Sequence, residues 1–447
     1  MLRTTIATLA GKAARRAARL RGGGSGGSAL PGLVAEKVDP NFLAHTLAHV
    51  PGGIVVVSGT NGKTTTTKML VAILRAHGKR VFTNPTGSNF TRGVISAMLA
   101  EMPRSGQLEA DIAVLELDEA HALHFGRALA PTHALLLNVA RDQLDRFAEI
   151  DHTAGLLTQL AAMTTEGVVL NRDDPFVNRI ATTLAPGVEV SWFGLDASVA
   201  DRIAELSEHD SRAQDDYAPP AAGAEDGLLE PIDEEQLRIT FGAEGEGGHI
   251  GPVTLRQRGL AAMINATAAT TTAKHLLGAQ FRHDATEQAL RTVAPPFGRG
   301  EVIDVDGTPL ELVLVKNPAG FTVALSTYAS TPAATMIAIN DDYADGRDVS
   351  WLYDVSFESL RAKGVALTSG VRGWDMALRL QYDEVPVAAT ETDLEKALMT
   401  FLADHEGEPK RIFTSYTAML ALRRMLGERY DLPEMGVDAP DATGDHA

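Results

Sequence analysis

The chain has 447 residues, 45% of them hydrophobic and 22% charged, which is length and apolar content for about three domain-sized units with real cores. A mean hydropathy of −0.03 and the lack of any run of about 18 apolar residues exclude a membrane-spanning helix, and the net charge of −18 gives no reason to expect nucleic-acid binding. A cysteine count of zero excludes disulfides, thiolate metal sites, iron–sulfur clusters and a cysteine nucleophile in this polypeptide.

The first 22 residues carry Arg3, Lys12, Arg15, Arg16, Arg19 and Arg21 and no acid. They lack the apolar core of a secretory signal, so the chain is expected in the cytoplasm. Two readings stay open. The arginines, set among alanines and Leu20, suit a short basic helix lying on the inner face of an anionic membrane, with RGGGSGGSALPG from Arg21 as its hinge; or the segment is a frayed, solvated terminus. Residues 1–45 are set apart as this basic, Gly-rich segment.

From residue 54 strand and helix signals alternate. Residues 54–57 read as a buried strand, the run from Gly59 as a turn, and Met69, Leu70, Val71, Ile73 and Leu74 as one apolar helix face. Further strands are expected at 80–82, 111–117, 133–138 and 167–171. Such alternation predicts an α/β fold with a parallel sheet and helices on both faces. Residues 201–246 then hold fourteen Asp or Glu against Arg202, Arg212 and Arg238, and the Pro- and Gly-rich stretch 201–247 reads as an acidic insert. A second strand–helix series follows at 312–315, 336–340, 365–369 and a helix around 393–403, before a tail, 437–447, expected to be disordered.

Gly59, Thr60, Asn61, Gly62, Lys63, Thr64 and Thr65 lie where an apolar strand turns into a helix, the context of a phosphate loop. Its glycines let backbone N–H groups point at phosphate oxygens, the helix N-terminus adds positive potential, Lys63 reaches the terminal phosphates, and Thr64 suits magnesium. In the general phosphate-loop spacing the first glycine would fall where Val57 stands. Downstream, the strand at 112–117 ends among Glu116, Asp118 and Glu119, carboxylates placed to hold magnesium or, more plainly, to form a solvated acidic turn. Asn138, Arg141, Asp142 and Asp145 repeat the arrangement after the next strand.

Together these segments resemble the Mur ligase superfamily, and the likeness continues through NRDDP at Asn171, the helix start at Gly259 and Asn265, FGRGE at Phe297 and KNPAG at Lys316. Within it the chain resembles the MurT family, on NPTGSN at Asn84, NDDYADGRDVSWLYD at Asn340 and SGVRGWDMALRLQYD at Ser369. The resemblance implies a Mur ligase-like central phosphate-loop ATPase domain at 46–298 and a smaller Rossmann-like C-terminal domain at 299–436. ATP would be bound by the Gly59–Thr65 loop with Asn265 and Arg299, Mg2+ by Thr64 and Glu116, and substrate by Asn84, Asn138, Lys316 and Asn317.

The implied activity is ATP-dependent amidation of the D-glutamate α-carboxylate of the lipid II stem peptide. It would run through an acyl phosphate, with Lys63, Arg299 and magnesium stabilising the transferring phosphoryl group. Ammonia needs a cysteine-dependent glutaminase, which this chain cannot be, so a separate subunit is expected; the resemblance identifies it as GatD, with Asp348 completing its Cys–His pair and Asp354 as second candidate. For Asp348 a turn carboxylate capping local backbone is the structural alternative.

Departures from the family pattern are as informative. The four cysteines of its zinc ribbon are missing, the acidic insert stands in their place, and no zinc is expected. No lysine lies between Lys79 and Lys274, which removes the carbamylated lysine of amino-acid-adding Mur ligases, and the first of the paired asparagines is Ala262. Only 58 residues precede the phosphate loop, too few for a domain that binds a UDP-linked substrate, which favours a carrier such as lipid II. Two other functions fit the same loop: an amino-acid-adding ligase of the folylpolyglutamate synthase kind, and a phosphate-loop kinase or nucleotide-switched binding module.

Overall fold

The computed structural model describes residues 2–20, 30–84, 91–103, 107–140, 150–199, 219–243, 245–328 and 331–432. Among them a nine-stranded sheet has the order β2-β3-β1-β4-β5-β6-β7-β8-β9. Its parallel part is β1 (Ile54–Ser58), β2 (Val81–Thr83), β3 (Ile112–Glu116), β4 (His133–Leu136), β5 (Gly167–Asn171), β6 (Glu189–Leu195) and β7 (Gly227–Pro231). The antiparallel strands β8 (Gln236–Phe241) and β9 (His249–Thr254) finish it.

Successive side chains of a strand point to opposite faces, so the unbroken run of valines in β1 feeds two cores. Val55 and Val57 pack with Leu70, Ile73, Ala266 and Leu290, from helices α4 (Lys63–Ala76), α9 (Leu260–Leu277) and α10 (His283–Thr292). Val56 packs on the other face with Ala7, Phe42, Val94 and Leu157. That face is covered by α1 (Leu2–Leu20), α2 (Leu30–Val38), α3 (Phe42–Leu47), α5 (Thr91–Glu101), α6 (Glu119–Ala128) and α7 (Ile150–Met163); the short α8 (Pro175–Asn178) follows β5.

The frayed reading of the terminus does not hold for residues 2–20. They form α1, whose Ala7 and Thr8 are fully buried, and Gly11 permits the fit because a Cβ there would stand 2.5 Å from Leu99 Cδ1. Of the acidic insert, residues 201–218 lie outside the described ones, as do the Gly-rich hinge 21–29 and the tail 433–447. The described part of the insert contributes two strands to the central sheet, 227–231 and 236–241, which are β7 and β8. Three threonines of the buried α9 satisfy themselves: Thr267, Thr271 and Thr272 each donate to the carbonyl four residues back, at 2.9, 2.8 and 2.7 Å.

The second sheet has six strands in the order β10-β11-β15-β12-β13-β14 among the described residues. They are β10 (Arg299–Val305), β11 (Thr308–Leu314), β12 (Ala334–Ala338), β13 (Val365–Ser369), β14 (Val387–Glu391) and β15 (Lys410–Thr414), and only β10 with β11 is antiparallel. Helices α11 (Pro318–Tyr328), α12 (Gly373–Tyr382), α13 (Leu394–Asp404) and α14 (Tyr416–Gly427) belong to it. Arg423 of α14 is buried and holds Glu301 through both carboxylate oxygens at 2.9–3.1 Å, which ties β10 to α14 just after the chain crosses between the sheets.

Candidate active site

At the carboxyl end of β1 the chain turns through Gly59, at φ +134°, and Gly62, at φ +87°, into α4. Those angles suit glycine, and space demands it as well: a Cβ on Gly62 would lie 2.3 Å from Asn265 Oδ1. Asn138 holds the loop from the neighbouring strand end, accepting from Asn61 N–H at 2.8 Å and donating to Asn61 O at 3.0 Å, while its own carbonyl accepts from Thr60 N–H at 3.0 Å. The Asn138 carboxamide thus supports the loop with both its oxygen and its nitrogen.

Lys63 is buried and folds back to donate to Gly59 O at 2.5 Å, with Glu119 Oε1 at 3.5 Å. Thr64 Oγ1 donates to Glu116 Oε1 at 2.8 Å, both residues being buried. Asn84 fixes the end of β3: its Nδ2 donates to Glu116 O and its Oδ1 accepts from Glu116 N–H, each at 2.9 Å. Arg141, Asp142 and Asp145 lie outside the described residues.

The second sheet brings three residues to this point. Lys316 donates to Thr60 O at 3.0 Å, and Asn317 donates to Asn61 Oδ1 at 3.0 Å. Arg299 at the head of β10 is enclosed beside Glu116 and Tyr416; burial pulls its pKa down and the Glu116 charge opposes that. Burial also works against the charge of Asp118, but the hydrogen bond from His121 and the charges of Lys63 and Lys316 outweigh it and hold the carboxyl below the usual range. Cations from both sheets therefore converge on the acidic end of β3.

The cleft between the sheets is lined by Asn61, Gly62, Asn138, Asn265 and Arg299, and also by Asp173 and Asp174 of the NRDDP stretch. Burial pushes both of these carboxyls up to about 6, against hydrogen bonds from Leu195 N–H to Asp173 and from Val139, Val177 and Phe176 N–H to Asp174. Tyr416 and Gln257, whose Nε2 donates to Arg299 O at 3.1 Å, were not foreseen; they come from separate elements and carry no local motif.

The donors fit the groups a nucleotide brings. Gly62 gives α4 no side-chain cap, so its first-turn N–H groups suit phosphate oxygens, and a buried hydroxyl with one carboxylate suits a magnesium ion that keeps most of its waters. Among the described residues no cluster of three or more His, Asp or Glu is arranged to hold a metal ion, and no helix is long and apolar enough to cross a membrane.

Residues 57–223 match the model of the Mur ligase middle domain and residues 314–419 that of the MurT ligase C-terminal region. The MurT subunit of lipid II isoglutaminyl synthase (glutamine-hydrolyzing) from Streptococcus pneumoniae is 31% identical, over 96% of this chain and 98% of the relative. The chain belongs to the MurT family. The Staphylococcus aureus MurT subunit is 28% identical over 94% of this chain and 97% of its own. Solved structures place the MurT-family chain in the Mur ligase fold. MurF from Acinetobacter baumannii superposes with a TM-score of 0.65 at 18% identity, covering 89% of this chain and 80% of MurF. Mycobacterium tuberculosis folylpolyglutamate synthase, solved with ADP and AMPPCP, gives 0.61 at 16% identity, covering 88% and 94%.

In this MurT-family chain Asp348 does not line the cleft. It is exposed on the turn after β12, where its Oδ1 accepts from Ser350 N–H at 2.8 Å. The turn is anchored by the buried Asp345, which accepts from Thr417 N–H at 2.8 Å at the start of α14. Asp354, the other candidate, is exposed at the end of the same turn. Alongside, α12 and the turn before it present Val371, Trp374, Leu378 and Tyr382 to solvent, each 49–69% exposed, and Tyr353 meets Tyr382 edge to face at 5.9 Å. A stripe of that size on a helix is the composition of a binding surface.

Proposed function

We propose that the chain is the synthetase subunit of a lipid II isoglutaminyl synthase. In this reading it uses ATP and Mg2+ to amidate the α-carboxylate of D-glutamate in the lipid II stem peptide, with ammonia from a GatD-like glutaminase. The observation that carries it is the meeting of Lys63 on one sheet with Arg299 and Lys316 on the other at the acidic end of β3. A phosphoryl group placed there has cations on two sides, which is what transfer from ATP to a carboxylate requires.

The chemistry divides into two displacements. A carboxylate oxygen of the substrate bonds to the γ-phosphorus as the bond to the β-phosphate oxygen breaks and ADP leaves; ammonia then bonds to the acyl carbon, loses a proton and expels phosphate. Magnesium, held by Thr64 and Glu116, supplies charge neutralisation of the phosphates. The lysines and Arg299 hold the oxygens in place, and the enclosed site keeps water from an acyl phosphate that hydrolyses easily. Asp348, outside the cleft beside the aromatic stripe of α12, suits a carboxylate that orients the partner's histidine across an interface.

The test is co-purification with the candidate glutaminase followed by an ATP- and glutamine-dependent assay on lipid II. Product analysis separates the alternatives: a new primary amide supports this reading, a new peptide bond favours the amino-acid-adding ligase, and a phosphorylated acceptor favours the kinase.

A further inference from the structure

The helix α1 uses both of its faces. One carries Thr4, Ala7, Thr8 and Gly11 and is buried against the protein. The opposite one, at the spacing of a helix turn, carries Ile6, Leu9, Ala13 and Ala17 to solvent, with Ile6 50% and Leu9 48% exposed. Arg3 and Arg16, both exposed, border that apolar strip on its two sides. No acid occurs among residues 1–22, and the acids of the adjoining segment are engaged: Glu36 with Arg92 at 2.8 Å, and buried Asp39 with Thr4 and His45.

We propose that the outer face of α1 docks on an anionic lipid bilayer. Apolar side chains flanked by arginines are what an interfacial helix needs: Ile6 and Leu9 enter the headgroup boundary while the guanidinium groups stay at the phosphates. A protein partner of ordinary composition would supply acids to the arginines but would not favour a purely basic segment with so narrow an apolar strip; an anionic lipid surface favours both. The inference deepens the proposed function and rests on it for its purpose. The helix shares one face of the central sheet with α5, which follows Asn84, the residue fixing Glu116. A lipid-held α1 brings that side of the site to the surface from which a lipid-linked peptide projects.

The experiment is co-sedimentation of the full chain with sucrose-loaded vesicles, half phosphatidylglycerol and half phosphatidylcholine, against vesicles of phosphatidylcholine alone. Neither lipid II nor nucleotide is present, so the outcome is independent of the amidation assay: binding without amidation overturns only the enzymatic reading, and the converse overturns only this one. The chain is expected to sediment with the anionic vesicles at low salt and to be released at about 0.5 M salt. Each charge at such a surface is worth about fivefold in partitioning, so Arg16→Glu, a change of two charges, should lower it roughly thirtyfold. The pair Ile6→Ser and Leu9→Ser should lower it by about tenfold or more. Circular dichroism checks that the variants keep their fold; if the serine pair does not, the exposed Arg16→Glu decides. Equal binding to both vesicle types, or unchanged partitioning in the folded Arg16→Glu variant, overturns the proposal. So does self-association in sedimentation velocity that the serine pair abolishes, which would assign the face to a second copy of the chain.

Discussion

Replacing Gly62 by alanine tests the construction of the phosphate loop with a magnitude the structure supplies. Two costs add. Left-handed backbone, here at φ +87°, costs a non-glycine residue about 1–2 kcal/mol. The new methyl would also stand 2.3 Å from Asn265 Oδ1, a contact that must open to at least 3.0 Å by moving a buried side chain of α9, an overpacking cost of about 1–3 kcal/mol. Gly78→Ala separates the two, because Gly78 has φ +77° and a Cβ there meets nothing within 4 Å. In thermal unfolding Gly78→Ala should cost about 1–2 kcal/mol and Gly62→Ala about 2–5 kcal/mol, the latter roughly 4–20 °C for a unit of this size. Affinity for a fluorescent ATP analogue should fall about tenfold or more in Gly62→Ala and stay unchanged in Gly78→Ala. Adding Asn265→Ala to Gly62→Ala should return the overpacking share, seen as a coupling of about 1–3 kcal/mol in a double-mutant cycle. Equal destabilisation by the two glycine changes, or strict additivity with Asn265→Ala, would refute the reasoning.

Other expectations follow from the same geometry. Lys63→Ala should abolish ATP turnover while circular dichroism and gel filtration report an unchanged fold, since the side chain spans the loop and not a core. Asp348→Asn should lower glutamine-driven amidation by orders of magnitude and spare amidation driven by high external ammonium; equal losses on both would place the residue in the synthetase site or in folding, and no loss on either would move the role to Asp354 or remove it. Chelation by EDTA should stop turnover, magnesium should restore it, and elemental analysis should find no stoichiometric zinc. Burial, helped by the neighbouring His275, holds the His133 pKa down at about 4, against 6.5 unfolded. Between those values the unfolded chain binds a proton that the folded one does not, so stability is complete above about pH 6.5 and falls by about 3 kcal/mol as pH drops toward 4. His133→Gln should flatten that part of a pH–stability profile measured by urea unfolding.

The parallel strands were legible because strands buried on both faces read as short apolar runs; 167–171 and 365–369 have the bounds expected. The strand expected at 312–315 begins earlier, at Thr308, since its first half alternates exposed and buried positions against β10 after a turn at Asp306 and Gly307. Helix α1 was hard to separate from a frayed end because its buried face is threonine, alanine and glycine and gives no apolar period. Strands β7 and β8 were hidden because their buried Leu228, Leu237, Ile239 and Phe241 are interleaved and flanked with charged residues such as Glu230, Asp233, Glu234 and Arg238. In the site, the loop and its Glu116 are local signals. The grip of Lys316 on Thr60 spans 256 residues of sequence, and only the family resemblance pointed to it. Asn138 shows the limit of reading residues singly: beside the substrate role that the family resemblance implies, its carboxamide supports the loop backbone at Asn61, a contact across 77 residues that no local motif announces.

The division of cations between two sheets gives the chain an interlock. Lys63 moves with the central sheet, whereas Arg299 is registered to the second sheet by the neighbouring Glu301–Arg423 pair, and Lys316 reaches across to the loop carbonyl of Thr60. Neither half holds the complete set, so the three cations meet only where the two sheets face each other across one covalent crossing, near residues 294–298. The turn of Asp348 and the stripe on α12 ride on the same half as Arg299 and Lys316. The unit that presents its aromatic side chains to solvent is thus the same one that lends two of the three cations to the cleft.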